Sequence, residues 1–221
     1  MHENSAQIIL KDIEKAYGSR KILDGISMEI YPGDFICIYG KSGGGKSTLL
    51  NIMGTLETYD SGTLRCFSVD NPVKDRRKSE RLRRYKIAYL FQNFALVEKM
   101  TVKENLLLAL RYARVKNKTR AMEEALTHLG VADKMNSKIF ELSGGEQQRV
   151  ALARNLIKPF DILLADEPTG SLDRENKEIV MRNLLELNRK GKTVVVVSHD
   201  DDFRKIAKKN YTIEDGRMYR I

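Results

Sequence analysis

The 221 residues contain no tryptophan, only two cysteines and only four prolines. Two cysteines, Cys37 and Cys66, are too few for a disulfide framework and are expected to be reduced bystanders in a cytosolic chain. No Pro-rich or Gly/Ser-rich linker, internal repeat or low-complexity tract divides the chain, so one domain with a sizeable core is expected. No apolar run approaches the ~18 residues a membrane-spanning helix needs. The start, MHENSAQIIL, has no apolar signal region, which predicts a chain that stays in the cytoplasm. Aromatic residues are nearly absent from the most basic stretch, KDRRKSERLRRYK at 74–86, which holds eight Lys/Arg against two acids. Without interleaved rings it makes no stacking platform for single strands, and no nucleic-acid partner is expected.

What is present is charge. Thirty-nine basic and 30 acidic residues give a net +9, which permits an acidic partner without choosing one. The basic stretch fits a solvated helix face. The sharper reading is attraction to anionic headgroups, worth ~1 kcal/mol per basic residue near a membrane surface.

Strand-like segments recur: IILKDI, ISMEI, FICIYG, TLRCF, IAYLF, DILLADE, TVVVVS and YTIED. DILLADE and TVVVVS are nearly continuous apolar runs, as in parallel strands covered on both faces. The early segments alternate and are closely spaced, which predicts an antiparallel portion. TVKENLLLALRYARV and TRAMEEALTHLGV instead repeat apolar residues at helical spacing. The expectation is an α/β fold with a mostly parallel core sheet, an N-terminal antiparallel β portion and an inserted helical portion. Residues 1–92 and 158–221 form the core in this reading, and 93–157 the helical subdomain.

FICIYGKSGGGKSTLLNIMG (35–54) reads strand, glycine loop, helix. Gly40, Gly45, Lys46 and Ser47 satisfy G-x-x-x-x-G-K-[ST] in its required context. The backbone of Gly40, Lys41, Ser42, Gly43, Gly44 and Gly45 can wrap phosphates and Lys46 can reach the β- and γ-phosphates. The Ser47 hydroxyl can ligate Mg²⁺, and Thr48 continues the helix start. In DILLADEPTGSLD (161–173), Asp166 and Glu167 fall at the end of a buried strand, where α/β sheets place ligand groups. Asp166 can hold a metal's hydration shell and Glu167 can polarise a water. Two adjacent carboxylates require a nearby cation.

LSGGEQQR (142–149) raises a separate question. Ser143, Gly144, Gly145 and Glu146 open a helix, the layout of a second anion-binding start, yet the stretch has no lysine.

Taken in order, these motifs resemble the ATP-binding subunits of ABC transporters over almost the whole chain. Gly40–Ser47 is similar to their Walker A loop, Asp166–Glu167 to the end of Walker B and LSGGE to their signature. Gln92 in YLFQNF resembles the Q-loop glutamine, near the metal. Asp173 in SLD (171–173) resembles the D-loop acid, His199 in VVVVSHD the switch histidine and Tyr17 in KAYGSR the aromatic that stacks on adenine. The resemblance implies ATP and Mg²⁺ as ligands, Glu167 as general base and His199 at the γ-phosphate. It also implies a head-to-tail pair of two copies, in which the signature of one closes over the nucleotide of the other. LSGGEQQR then needs no lysine, because the second copy's Lys46 serves. A separate transmembrane permease is implied, with the chain peripheral on the inner face of the membrane.

DEPTGSLD and ELSGGEQQRVALAR resemble the lipoprotein-release and macrolide-export branch. LFQNFALVEKMTVKENL and KPFDILLADEPTGSLD look most like bacteriocin-type peptide exporters. Gly44 departs from the serine or alanine usual there. The expected role is powering export of a peptide, antimicrobial or lipid-linked cargo. The alternative is a regulatory ATPase of cell-division type that acts on a membrane protein without moving cargo.

Overall fold

A computed structural model describes residues 5–221 except Tyr112, Arg114 and Ser171. Ser171, the first residue of SLD, therefore lies outside the described residues.

Two sheets form. The first is antiparallel, in the order β2-β1-β4-β5, from β1 Ile8–Tyr17, β2 Arg20–Ile30, β4 Ser61–Cys66 and β5 Val69–Asp70. The second runs β10-β9-β3-β8-β7-β6, from β3 Phe35–Gly40, β6 Ile87–Leu90, β7 Ile162–Asp166, β8 Thr193–Val197, β9 Lys209–Glu214 and β10 Arg217–Arg220. Its pairings are parallel except β10 with β9. This is the α/β class the apolar runs predict. Two pieces differ. The second strand starts at Arg20 rather than at ISMEI, because Arg20 and Lys21 pair with Tyr17 and Ala16 across a tight turn. The two-residue β5 and the mostly exposed β10 have no apolar run to announce them.

Side chains alternate across a strand, so the second sheet has two apolar faces. The row Ile36, Val195, Leu164, Tyr89 lies on one face, packed with the first sheet and with α1 (Lys46–Met53). The row Cys37, Val196, Ala165, Leu90 lies on the other, packed under the helices. Cys37 and Cys66 are buried and unpaired, and burial pushes both thiols up to about 12, so they are unreactive at neutral pH.

The basic stretch forms α2, Arg76–Tyr85, capped by Asp75, whose side chain accepts from the N–H groups of Arg77 and Lys78. Between β6 and β7 come α3 (Val102–Ala109), α4 (Lys118–His128) and α5 (Gly144–Leu156). α3 opens on a capping box of Thr101 and Glu104. It ends sooner than the pattern in TVKENLLLALRYARV predicts. After Ala109 the chain makes tighter turns, Arg111 N–H to Leu108 O and Ala113 N–H to Leu110 O, which keep Leu110 buried in the core. After β7 come α6 (Arg174–Arg189) and α7 (Asp201–Ile206).

Parallel strands bring their C-terminal ends to one edge. That edge carries the glycine loop after β3, Glu167 after β7, His199 after β8 and Gln92 after β6. Because β8 lies between β3 and β7, His199 emerges between the loop and the acids.

Candidate nucleotide site

Lys46 is the first residue of α1, and its side chain is buried. Its ammonium donates to Gly40 O at 2.8 Å and Lys41 O at 3.1 Å, and stands 3.9 Å from Glu167 Oε1. The loop can turn this tightly because Gly45 has a φ of +89°, and an added Cβ there would sit 2.9 Å from side-chain carbons of Ile22 and Leu23. Glycine alone fits both demands.

Ser47 donates its hydroxyl hydrogen to Asp166 Oδ1 at 2.9 Å. Burial raises the Asp166 carboxyl above the usual carboxylate range, while the Ser47 hydrogen bond partly offsets this. Two hard oxygens this close suit a small cation that keeps most of its coordination for water and phosphate oxygens. Among the described residues no group of three or more His, Cys, Asp or Glu could hold a metal. The donor set fits Mg²⁺ shared with a phosphate ligand.

Glu167 takes a left-handed φ of +42°, unusual for a residue with a side chain. Its backbone N–H donates to Val197 O at 2.9 Å. Its carboxylate faces Lys46 through Oε1, and Ser198 Oγ at 3.3 Å and His199 Nδ1 at 3.0 Å through Oε2. Such conformations cost about 1–3 kcal/mol and persist where surrounding contacts hold them.

Tyr17 ends β1 and is half exposed. It lines one cavity of about 230 Å³ together with Ile22, Gly43, Gly44, Gly45, Lys46, Ser47 and Thr48. Its hydroxyl donates to the Glu57 carboxylate, which raises the phenol above its ordinary range. Lys15, itself buried, places its ammonium 3.7 Å from Glu57 Oε1 and 5.2 Å from the centre of the Tyr17 ring. Gly40, Lys41 and Ser42 line a neighbouring cavity beside β9 and Arg20.

The remaining residues singled out in the sequence stand apart. Gln92 is exposed just past β6 and lines neither cavity. Ser143, Gly144, Gly145 and Glu146 line neither cavity as well. Ser143 caps α5 in a reciprocal box: its hydroxyl accepts from Glu146 N–H at 3.3 Å, and Glu146 Oε2 accepts from Ser143 N–H at 2.8 Å. Lys134 pairs with Glu146 Oε1 at 3.3 Å. The Glu146 carboxylate is thus committed to the cap. The S-x-x-E spacing was a visible signal for that box. Asp173 caps α6 and accepts from Asn176 N–H at 2.8 Å. Glu57, Lys15 and Ser198 join the site through the fold. Ser198 directly precedes His199, but Glu57 and Lys15 carry no local motif.

The family model described as "ABC transporter" matches residues 23–170. The macrolide export ATP-binding/permease protein MacB of Campylobacter jejuni is 41% identical over 213 residues, covering 96% of this chain and 33% of that protein. The protein of the same name from Marinobacter nauticus is 38% identical over 217 residues, covering 96% and 34%. The chain therefore spans about a third of the length of these curated relatives. The dimeric bacterial ABC transporter cassette MJ0796 superposes with a TM-score of 0.89 at 36% identity, covering 96% of this chain and 97% of the other. Its post-hydrolysis dimer bound to ADP and Pi gives 0.89 at 34%, covering 96% and 98%. On the strength of the matched family model, these relatives and the shared cassette fold, this chain belongs to the ABC transporter family.

Proposed function

We propose that this chain binds MgATP and hydrolyses it in a head-to-tail pair of two copies, powering a transporter completed by a transmembrane permease. The observation that carries this is the meeting of the Lys46 ammonium with Glu167 at 3.9 Å, beside the Ser47–Asp166 contact at 2.9 Å. A phosphate-binding cation, a metal-binding pair and a base converge on one edge of the sheet.

In this reading Lys46 exchanges its two loop carbonyls for β- and γ-phosphate oxygens, and Tyr17 stacks on adenine. Ser47 and Asp166 hold the cation, with Gln92 added from the segment after β6. When bound, the cation neutralises charge on the phosphate oxygens. Glu167 accepts a proton from the attacking water, whose oxygen bonds to the γ-phosphorus as the bond to the ADP oxygen breaks. His199 and Ser198 orient Glu167, and His199 reaches the γ-phosphate. Ser143 and the N–H groups of Gly144 and Gly145 face the nucleotide of the second copy, with Asp173 at the same junction.

The macrolide-export name of the relatives supports an exporter, and a peptide, antimicrobial or lipid-linked cargo is the reading favoured here. The position would be peripheral, on the cytoplasmic face of a membrane. No helix among the described residues is long and apolar enough to cross one. Glu167→Gln keeps the shape of the base without its proton affinity. It should bind ATP, accumulate as an ATP-held dimer and hydrolyse at least ~10²-fold more slowly. A variant that turns over normally, or stays monomeric with ATP on size exclusion, overturns the proposal.

A further inference from the structure

Gly145 is buried in the first turn of α5, and its φ is not left-handed. Its backbone therefore does not require glycine; its neighbour does. An added Cβ would lie 2.4 Å from Cγ and Nδ2 and 2.6 Å from Oδ1 of Asn176. Such distances occur in no real contact. Asn176 belongs to the first turn of α6, whose cap is Asp173.

The Asn176 amide is used on both sides. Its Nδ2 donates to Asp173 Oδ2 at 2.8 Å, and its Oδ1 accepts from Arg149 Nη1. Arg149 follows Gly145 by four positions and so shares its helix face. Asp173 also takes the Asn176 backbone N–H at 2.8 Å. These two donors, with the Arg149 charge nearby, hold its carboxyl below the usual range. Gly145 thus makes the notch, Asn176 fills it, Arg149 closes it from above and Asp173 is held from below.

We propose that Asn176 is a positioning residue that clasps the signature helix and the Asp173 cap into one unit, so that both meet the second copy already aligned. The proposal rests on the reading of the signature as a half-site for the other chain's nucleotide. Without the clasp, each motif must be ordered separately on association, and preorganisation is lost.

The test uses the full chain in the Glu167→Gln background with MgATP, measuring dimerisation by sedimentation and monomer ATP affinity by calorimetry. Asn176→Ala should leave the ATP dissociation constant and the melting temperature close to the parent's. It should weaken ATP-dependent dimerisation about tenfold, the equivalent of ~1.4 kcal/mol of side-chain hydrogen bonding. Gly145→Ala should abolish dimerisation by driving a methyl into Asn176. The double variant Gly145→Ala/Asn176→Ala should recover to the level of Asn176→Ala alone. A simple structural defect would add to the first one; only relief of this contact produces recovery. The clasp is overturned if the double variant is no better than Gly145→Ala, if Asn176→Ala dimerises like the parent, or if it loses ATP binding as a monomer. Ser143→Arg serves as the control. If it blocks dimerisation while Asn176→Ala does not, the clasp alone fails. If it dimerises normally, the half-site reading falls and the clasp with it.

Discussion

His199 Nδ1 lies 3.0 Å from Glu167 Oε2, across two strands that are neighbours in the sheet and separated in the chain by α6. The acid is therefore held by three groups at once, since Ser198 and Lys46 complete its surroundings. A carboxylate in a left-handed backbone position would otherwise relax, so these contacts set where the proposed base points. His199→Ala should leave ATP binding near normal and slow hydrolysis by ~10²-fold, the order seen on removing one preorganised donor. Steady-state turnover and ATP affinity measured together check this; an equal loss in both points to a folding defect.

Lys46→Ala removes the buried ammonium held by the Gly40 and Lys41 carbonyls of the phosphate loop. ATP binding should fall below the range of useful titration. Near-normal heat of MgATP binding in calorimetry would contradict the assignment of this loop.

The platform residue is a milder case. Tyr17→Ala should weaken ATP binding by ~1–3 kcal/mol, the range for base–aromatic stacking, while binding of tripolyphosphate stays unchanged. An equal loss for both ligands would show that Tyr17 supports the loop rather than the base. Glu57→Ala, which removes the acceptor of the Tyr17 hydroxyl, should move ATP binding in the same direction by less.

Asp166 gives a pH prediction. Its folded carboxyl titrates above its unfolded value because it is buried. Between those two values the folded state binds the proton more tightly, so stability falls as pH rises through that window. At neutral pH, without ligand, the ionised Asp166 destabilises the fold. Asp166→Asn should raise the melting temperature of the ligand-free protein, by ~2–4 °C for each kcal/mol relieved. The gain should shrink as pH falls below the unfolded carboxylate value of 3.8. A melting temperature lowered at neutral pH and unchanged at acid pH would refute the burial argument.

Much of this molecule was legible in one dimension. The glycine loop needs consecutive residues of set types, because φ values and a helix start are local properties. DILLADE and TVVVVS announced buried parallel strands because both their faces are apolar, whereas FICIYG announced only a strand before the loop, and its parallel pairing with β8 and β9 came from the fold. β5 and β10 stayed hidden, since short or exposed edge strands have little apolar pattern to read.

The site is a different matter. Ser47 and Asp166 are 119 residues apart, and nothing in either stretch states that they meet at 2.9 Å. Strand order decides that: with β8 between β3 and β7, three remote segments end side by side. The pairing of Tyr17 with Glu57 and the filling of the Gly145 notch by Asn176 have the same origin. The sequence by itself determined which residues could hold a phosphate, a metal or a proton, because those are properties of side chains and short loops. Only the tertiary structure decided which of them touch, because packing two sheets and a set of helices around shared cores joins positions whose separation along the chain leaves no local trace.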